Sequence, residues 1–430
     1  MNLLLSILAF NIIVIVHELG HFIVAKKAGI KVLEFSLFFG PKIFSIQRGE
    51  TTYSLRLIPF MAYVKMEGEE EESDSETSFS NKPKYVRALT AFGGPLANII
   101  LAVVLLTAVY SIVGYDSTEI GLVVSNSPAT EAGLQKGDKI VSYSGKATYL
   151  PIDVVQFLYV SKGAPAKVTY MRGGELYDTT LKPIHHAAAS APKLGVTLGS
   201  EGAADSNVIK ALSSGMPAEK AGLRVGDRIV GLNGQNISTS AELVNIVEKN
   251  GLKQIDLKAL RNGSEVNVTI TPQEVKADEW YDAGLGFSQK KGGIVESLRQ
   301  SAIFTYSIVR SVGYSLVWLF TGKAKLSELM GPIGMVSTMT SAMQQALNMT
   351  DILLYLMRTT AFMSIAIGAT NLIPFPMLDG GRIALIGLEA VRGRPLSQEK
   401  EAYISMVGFV LIILLGIYAA YNDIVRLVTG

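Results

Sequence analysis

The chain has 430 residues, 49% of them hydrophobic, with a mean hydropathy of +0.32 and a formal net charge of only +2. That length holds several domains, the hydropathy points to a membrane rather than to an ordinary soluble globule, and the near-neutral charge gives no reason to expect a nucleic-acid partner. Zero cysteines exclude a disulfide framework and any Cys-based zinc site, so a metal must be held by His and carboxylates.

The first element is the apolar run Leu3 to Val16, which becomes long enough to span hydrocarbon if His17 to Ala25 continue its helix. A cleaved signal peptide is not expected, because the run lacks a basic leader and passes straight into charged helical sequence. Within that continuation, His17-Glu18-Leu19-Gly20-His21 has the form H-E-x-x-H. Residues four apart share one helix face, so both imidazoles can reach one metal while Glu18 sits beside a bound water as base. Such a cluster inside a span is costly unless paired or metal-bound, which sharpens an otherwise short pattern.

Next, Lys42 to Met66 alternates polar and apolar residues around Arg48-Gly49-Glu50, the pattern of a hairpin with strands at Tyr53 to Leu57 and Ala62 to Met66. The acidic run Glu69 to Glu76 reads as a solvated loop. Ala88 to Val113 is the second span, and its Gly94-Pro95-Leu96-Ala97-Asn98 is small enough to permit close helix packing. Lys26, Lys27 and Lys31 follow the first span, and Lys82, Lys84 and Arg87 precede the second. The positive-inside rule puts that connection, and the Arg392, Arg394 and Lys400 region, in the cytoplasm, leaving the centre of the chain extracytoplasmic.

Between Ile120 and Pro272 the chain repeats itself at a constant offset of 89 residues: Ser127-Pro128-Ala129, Ala132-Gly133-Leu134 and Gly137-Asp138 recur as Met216-Pro217-Ala218, Ala221-Gly222-Leu223 and Gly226-Asp227. A period this long means a duplicated compact domain of short strands with a short helix. Ala187 to Pro192 is expected to be the linker, with His185 and His186 as plain loop residues beside it. Ile120 to Val123 and Leu194 to Val196 are candidate peptide-groove segments, with buried strand core as the other reading. Glu296 to Leu354 is amphipathic and is read mainly as interfacial helices. Ser297 to Phe320 is long enough to span, but an extra crossing would carry Asp379 to the wrong face.

Thr359 to Phe375 and Tyr403 to Tyr421 are the remaining spans. Two histidines leave a catalytic zinc short of a protein ligand. Asn371-Leu372-Ile373-Pro374-Phe375-Pro376-Met377-Leu378-Asp379-Gly380-Gly381 lies at the same end of the membrane as His21, and its prolines force the chain out of helix where a cavity must receive it. Asp379 can then turn inward as an oxygen ligand.

The pair of motifs, H-E-x-x-H and N-x-x-P-x-P-x-L-D-G-G, resembles the site-2 protease family of intramembrane zinc metalloproteases. The repeats, at Val123 to Lys146 and Val208 to Ile237, resemble bacterial PDZ domains in circularly permuted form. The likeness covers essentially the whole chain, and it is nearest to the branch that regulates sigma factors. It implies a polytopic α-helical membrane protein of a bacterial inner membrane. About four transmembrane helices would carry a membrane-associated β-hairpin region near Ala62 to Gly68 and two tandem extracytoplasmic PDZ domains. The divisions are 1–118, 119–186, 193–275, 276–352 and 353–430.

The same resemblance implies Zn2+ on His17, His21 and Asp379, Glu18 as catalytic acid/base, and Asn371 and Asn98 as hydrogen-bonding side chains for substrate or oxyanion. Val64 would lie on a strand that holds the unwound substrate. The implied reaction is hydrolysis within transmembrane segments of single-span proteins, of anti-sigma-factor type or remnant signal peptides, in an envelope stress response. Lipid is the other implied partner. The competing reading is a non-enzymatic PDZ scaffold with a structural metal site, against which Glu18 argues, because a closed structural site needs no base. A transporter would require inverted repeats that the spans lack.

Overall fold

The computed structural model describes residues 2–69, 73–201, 204–213, 215–277, 279–324, 326, 331–344, 348–394 and 396–429. Residues 70–72 of the acidic run fall outside them. The described chain divides into two compact units, the first comprising 1–161, 165–181 and 284–429, the second essentially 182–283.

In the first unit, α1 (Asn2–Lys27) and α2 (Lys84–Val113) cross closely. The crossing depends on glycine: a Cβ at Gly20 would stand 2.2 Å from the Gly93 carbonyl oxygen. Lipid supplies no hydrophobic drive between helices, so this small-residue contact lets dispersion hold them together. Gly368 of a later helix approaches the Pro95 carbonyl in the same manner, a Cβ there meeting it at 3.1 Å.

Between α1 and α2 the chain forms two long antiparallel strands, Val32–Arg48 and Thr51–Met66, which fold again on themselves. Residues 32–37 pair with 62–66 on one side and with 52–55 on the other, and 51–56 pair with 42–48. Positive φ at Phe38, Gly40 and Met61 makes the bends. Among the described residues, 62–66 is thus an edge segment. Asn11, buried in α1, donates its amide to the Pro59 carbonyl at 3.1 Å and ties this sheet to the first helix.

The first repeat forms a sheet of Tyr115–Val123, Lys139–Tyr143, Ala166–Arg172 and Glu175–Leu181, with α3 (Pro151–Val160). Its edge strand, Leu285–Lys290, comes from beyond the second repeat and pairs with Tyr115–Val123. Ile120 to Val123 is therefore an interior strand, which corrects its reading as a groove segment.

In the second unit Val196–Glu201 takes the corresponding edge place, followed by Ala204–Leu212, Arg228–Leu232, Ile255–Arg261 and Ser264–Ile270, with α4 (Ser240–Asn250). Leu194, Gly195 and Val196 line a cavity of about 310 Å³ with Leu243, Val244 and Val247 of α4. The expected linker is not free chain: Ala189–Lys193 pairs with Gln273–Ala277, because both legs of the inserted second repeat must run side by side. His185 and His186 lie on a strand in that ribbon, with the His186 ring stacked on Trp280 at 4.1 Å.

After the repeats, α5 (Ile294–Phe320) begins beside the end of α2, with Ser301 near Thr107 and Phe304 against Tyr110. From Ser307 onward it rests on α3. The Asp153 carboxylate, fully buried, accepts from Ser307 at 2.6 Å and forms an ion pair with Arg310 at 2.9 Å, and Phe157 packs on Tyr314 and Trp318. A short α6 (Pro332–Gln344) packs Met339 against Ile13 and Met363. Then follow α7 (Met349–Asn371), α8 (Asp379–Arg392) and α9 (Gln398–Thr429). Among the described residues five helices, α1, α2, α5, α7 and α9, are long and apolar enough to cross a membrane.

Candidate metal and catalytic centre

The helical spacing in α1 puts His17 and His21 on one buried face, their Nε2 atoms 3.3 Å apart. The chain leaves α7 through Pro374 and Pro376, which have no N–H to continue a helix, and doubles back into α8. The return is tight. A Cβ at Gly380 would meet the Leu372 carbonyl oxygen at 2.3 Å, and one at Gly381 would meet that of Phe375 at 2.1 Å. The two glycines therefore let the first residue of α8, Asp379, reach the histidines. Its carboxylate oxygens lie 3.1 Å from His17 Nε2 and 3.4 Å from His21 Nε2.

One donor atom from each of His17, His21 and Asp379 lies within 4.8 Å of the others. Both rings are held from behind at Nδ1, which leaves each Nε2 facing the cavity. His21 Nδ1 donates to the Thr90 carbonyl at 2.8 Å. His17 Nδ1 lies 3.3 Å from Asn98 Nδ2, and the fully buried Asn98 Oδ1 has no partner. Turning that amide end over end exchanges the two atoms, lets the oxygen accept from Nδ1–H and leaves the His17 Nε2 lone pair for a metal. Gly94 leaves the room: a Cβ there would stand 2.3 Å from His21 Nε2 and 2.8 Å from His17 Nε2. Two neutral imidazoles and one carboxylate, with space beside them, make a donor set that fits zinc and leaves a coordination place open.

Glu18 lines the same cavity, of about 420 Å³, together with Met61, Ala62, Val64, Asn371, Met377 and Arg382. The Asn371 amide nitrogen lies 3.4 Å from His17 Nε2. All the site residues singled out from the sequence thus come together, Asn98 from behind and Val64 from the edge segment. Sequence reasoning did not find Thr90, Arg382, Glu69 or the two methionines. Glu69 corrects the reading of the acidic run as wholly solvated. It accepts from Arg382 and from the Met66 N–H, because the run begins at the cavity, which Glu69 lines, rather than in solvent. Thr90 acts through its carbonyl and Arg382 through the fold, so neither leaves a spacing to read.

The profile of peptidase family M50 matches residues 5–415. The chain belongs to peptidase family M50. A zinc metalloprotease RasP of Geobacillus kaustophilus is 30% identical over 97% of this chain and 96% of its own length. One of Shouchella clausii is 31% identical over 99% of this chain and all of its own. The regulator of sigma-W protease RasP of Bacillus subtilis is 28% identical over 98% and 97%. Among solved structures, the HtrA3 PDZ domain aligns with 21% of this chain and 93% of its own at 18% identity, with a TM-score of 0.19. This multi-pass membrane protein is accordingly a zinc metalloprotease of the site-2 type, which sets aside the scaffold reading.

Proposed function

We propose that the protein cuts peptide bonds inside the transmembrane segments of single-span proteins, with His17, His21 and Asp379 holding zinc. The observation that carries this reading is the meeting of the α1 histidines with Asp379 in a cavity among apolar helices, bordered by a strand edge. Bound there, zinc supplies a Lewis acid that polarises the scissile carbonyl and acidifies water. Glu18 takes the proton of the attacking water and delivers it to the departing amine. Asn371 donates its amide toward the developing oxyanion, and Asn98 and Thr90 keep the two rings aimed.

A helical substrate hides its amides in internal hydrogen bonds and must unwind to be cut. Ala62 to Met66 is the edge segment of this sheet and borders the cavity, so the unwound substrate adds to it as a strand, with Val64 at its middle. Four crossings, α1, α2, α7 and α9, accord with the basic residues flanking them, while α5, resting on α3 from Ser307 onward, stays on the outer side. The two repeats are then extracytoplasmic PDZ domains that filter substrates by size or hold a new C-terminus.

Membership beside a relative named for sigma-W regulation favours single-span anti-sigma-factor substrates, and remnant signal peptides, in a bacterial inner membrane under envelope stress. The test is cleavage of a single-span substrate in detergent with the cut mapped by mass spectrometry. A cut within the apolar segment, weakened at least about tenfold by Val64→Pro with zinc retained, is expected. A cut only outside that segment, or one indifferent to Val64→Pro, contradicts the respective part.

A further inference from the structure

Among the described residues three bulky ones, Phe38, Met61 and Met377, hold φ near +70°, where side chains are strained and glycine is not. The other described non-glycine residues with positive φ are Asn126, Ser144, Lys162, Asn233 and Asn262, all in turns outside the catalytic cavity. Of the bulky three, Met61 and Met377 both line the catalytic cavity, and each leaves about half of its surface uncovered. They arrive from different elements. Met61 bends the chain into the edge segment Ala62 to Met66. Met377 follows Pro376 in a turn closed by the Leu378 N–H on the Phe375 carbonyl at 3.1 Å. With proline at the second position and φ +76° at the third, this is the turn whose third position favours glycine or asparagine.

A residue held in such a conformation at a site, with its side chain in the cavity, points to a use for that side chain. Methionine is suited to one. Its unbranched thioether presents an apolar, adaptable wall with no polar group to satisfy. The metal ligands and Glu18 fix where the scissile bond must lie, and the thioethers bound the space around it.

We infer that Met61 and Met377 are specificity residues, whose side chains limit the size of the substrate side chains accepted next to the scissile bond. This rests on the protease reading above and goes beyond it, since neither residue takes part in the bond-breaking step. Glycine at either position relieves the backbone while opening the wall, so strain and selectivity separate.

The experiment uses the full chain with single-span substrates carrying Ala, Leu, Phe or Trp on either side of the mapped cut. The wild type is compared with Met61→Gly and Met377→Gly. The expected result is a rise of at least about tenfold in the ratio of kcat/KM for Trp over Ala in one variant or both. Zinc content and thermal midpoint should be no lower than in the wild type. Asn substitutions, which also suit positive φ, must give the same shift. A wild type that cuts the series with a size preference unchanged within twofold in all four variants overturns this inference alone. A wild type that cuts none of the substrates overturns the protease reading and this inference with it.

Discussion

Gly94 does the most with the least at the centre. The space it leaves is the space in which two imidazole nitrogens face a carboxylate, and backing α2 away to admit a side chain would give up the close packing of Gly20 on Gly93. Gly94→Ala should therefore lower zinc content to a tenth or less, at roughly the scale seen when a ligand's support is lost. Secondary structure should be unchanged by circular dichroism, and full zinc occupancy would contradict the account. At this scale the meeting of His17, His21 and Asp379 was legible because metal ligation demands particular donors at particular spacing, and Glu18 came with the H-E-x-x-H pattern. Gly94 was read as part of a Gly-x-x-x-Asn pattern and as a packing residue, without its contact to the histidines, since that contact comes from a different helix. Met61 and Arg382 were given no role, and Met377 was read only as a place in the Asp379 motif, because no pattern marks a side chain that merely faces a cavity.

Between elements, one ion pair on a buried carboxylate braces each repeat internally, and the two pairs recur at the same offset. Asp138 accepts two hydrogen bonds from Arg172, at 2.6 and 2.7 Å, and Asp227 accepts two from Arg261, both at 2.8 Å. The Arg261 guanidinium holds the Asp227 carboxyl below the ordinary carboxylate range, and Arg172 does so for Asp138 against the upward push of burial. A depressed folded value means that this stability is in place above the ordinary value and is lost as pH falls through the depressed one, below about pH 4. Arg261→Gln should raise the acid transition of the second repeat by about one pH unit, read by hydrogen exchange over 255–270.

Arg310 makes the other decisive contact, joining α5 to α3. Arg310→Leu removes the cationic partner of the fully buried Asp153 carboxylate, leaving it the hydrogen bonds from Ser307, Tyr149 and Leu150, and should cost about 3 kcal/mol, with faster exchange over 151–160. Adding Asp153→Asn should restore part of the loss. The duplication itself was legible from the recurring Gly-Asp and Ala-Gly-Leu. The borrowed edge strand Leu285–Lys290 was not, since it lies outside the repeating window and its partner stands more than 160 residues earlier.

At the scale of the molecule, the apolar runs and their basic flanks made the membrane part legible, because hydrocarbon imposes length and composition directly. The Glu296 to Leu354 region was harder to read. Its helix α5 satisfies the length and composition of a span, yet it has polar residues that serve α3, and only packing separates those roles. The account as a whole stands on a zinc centre in which Glu18 moves protons and does not hold the metal. Purified wild type and Glu18→Gln, compared in detergent for zinc content and for cleavage of one single-span substrate, test this most directly. The account predicts equal zinc in both proteins and cleavage by the wild type alone, reduced at least about 100-fold in the variant. Equal cleavage by both, or loss of zinc from Glu18→Gln, would contradict it.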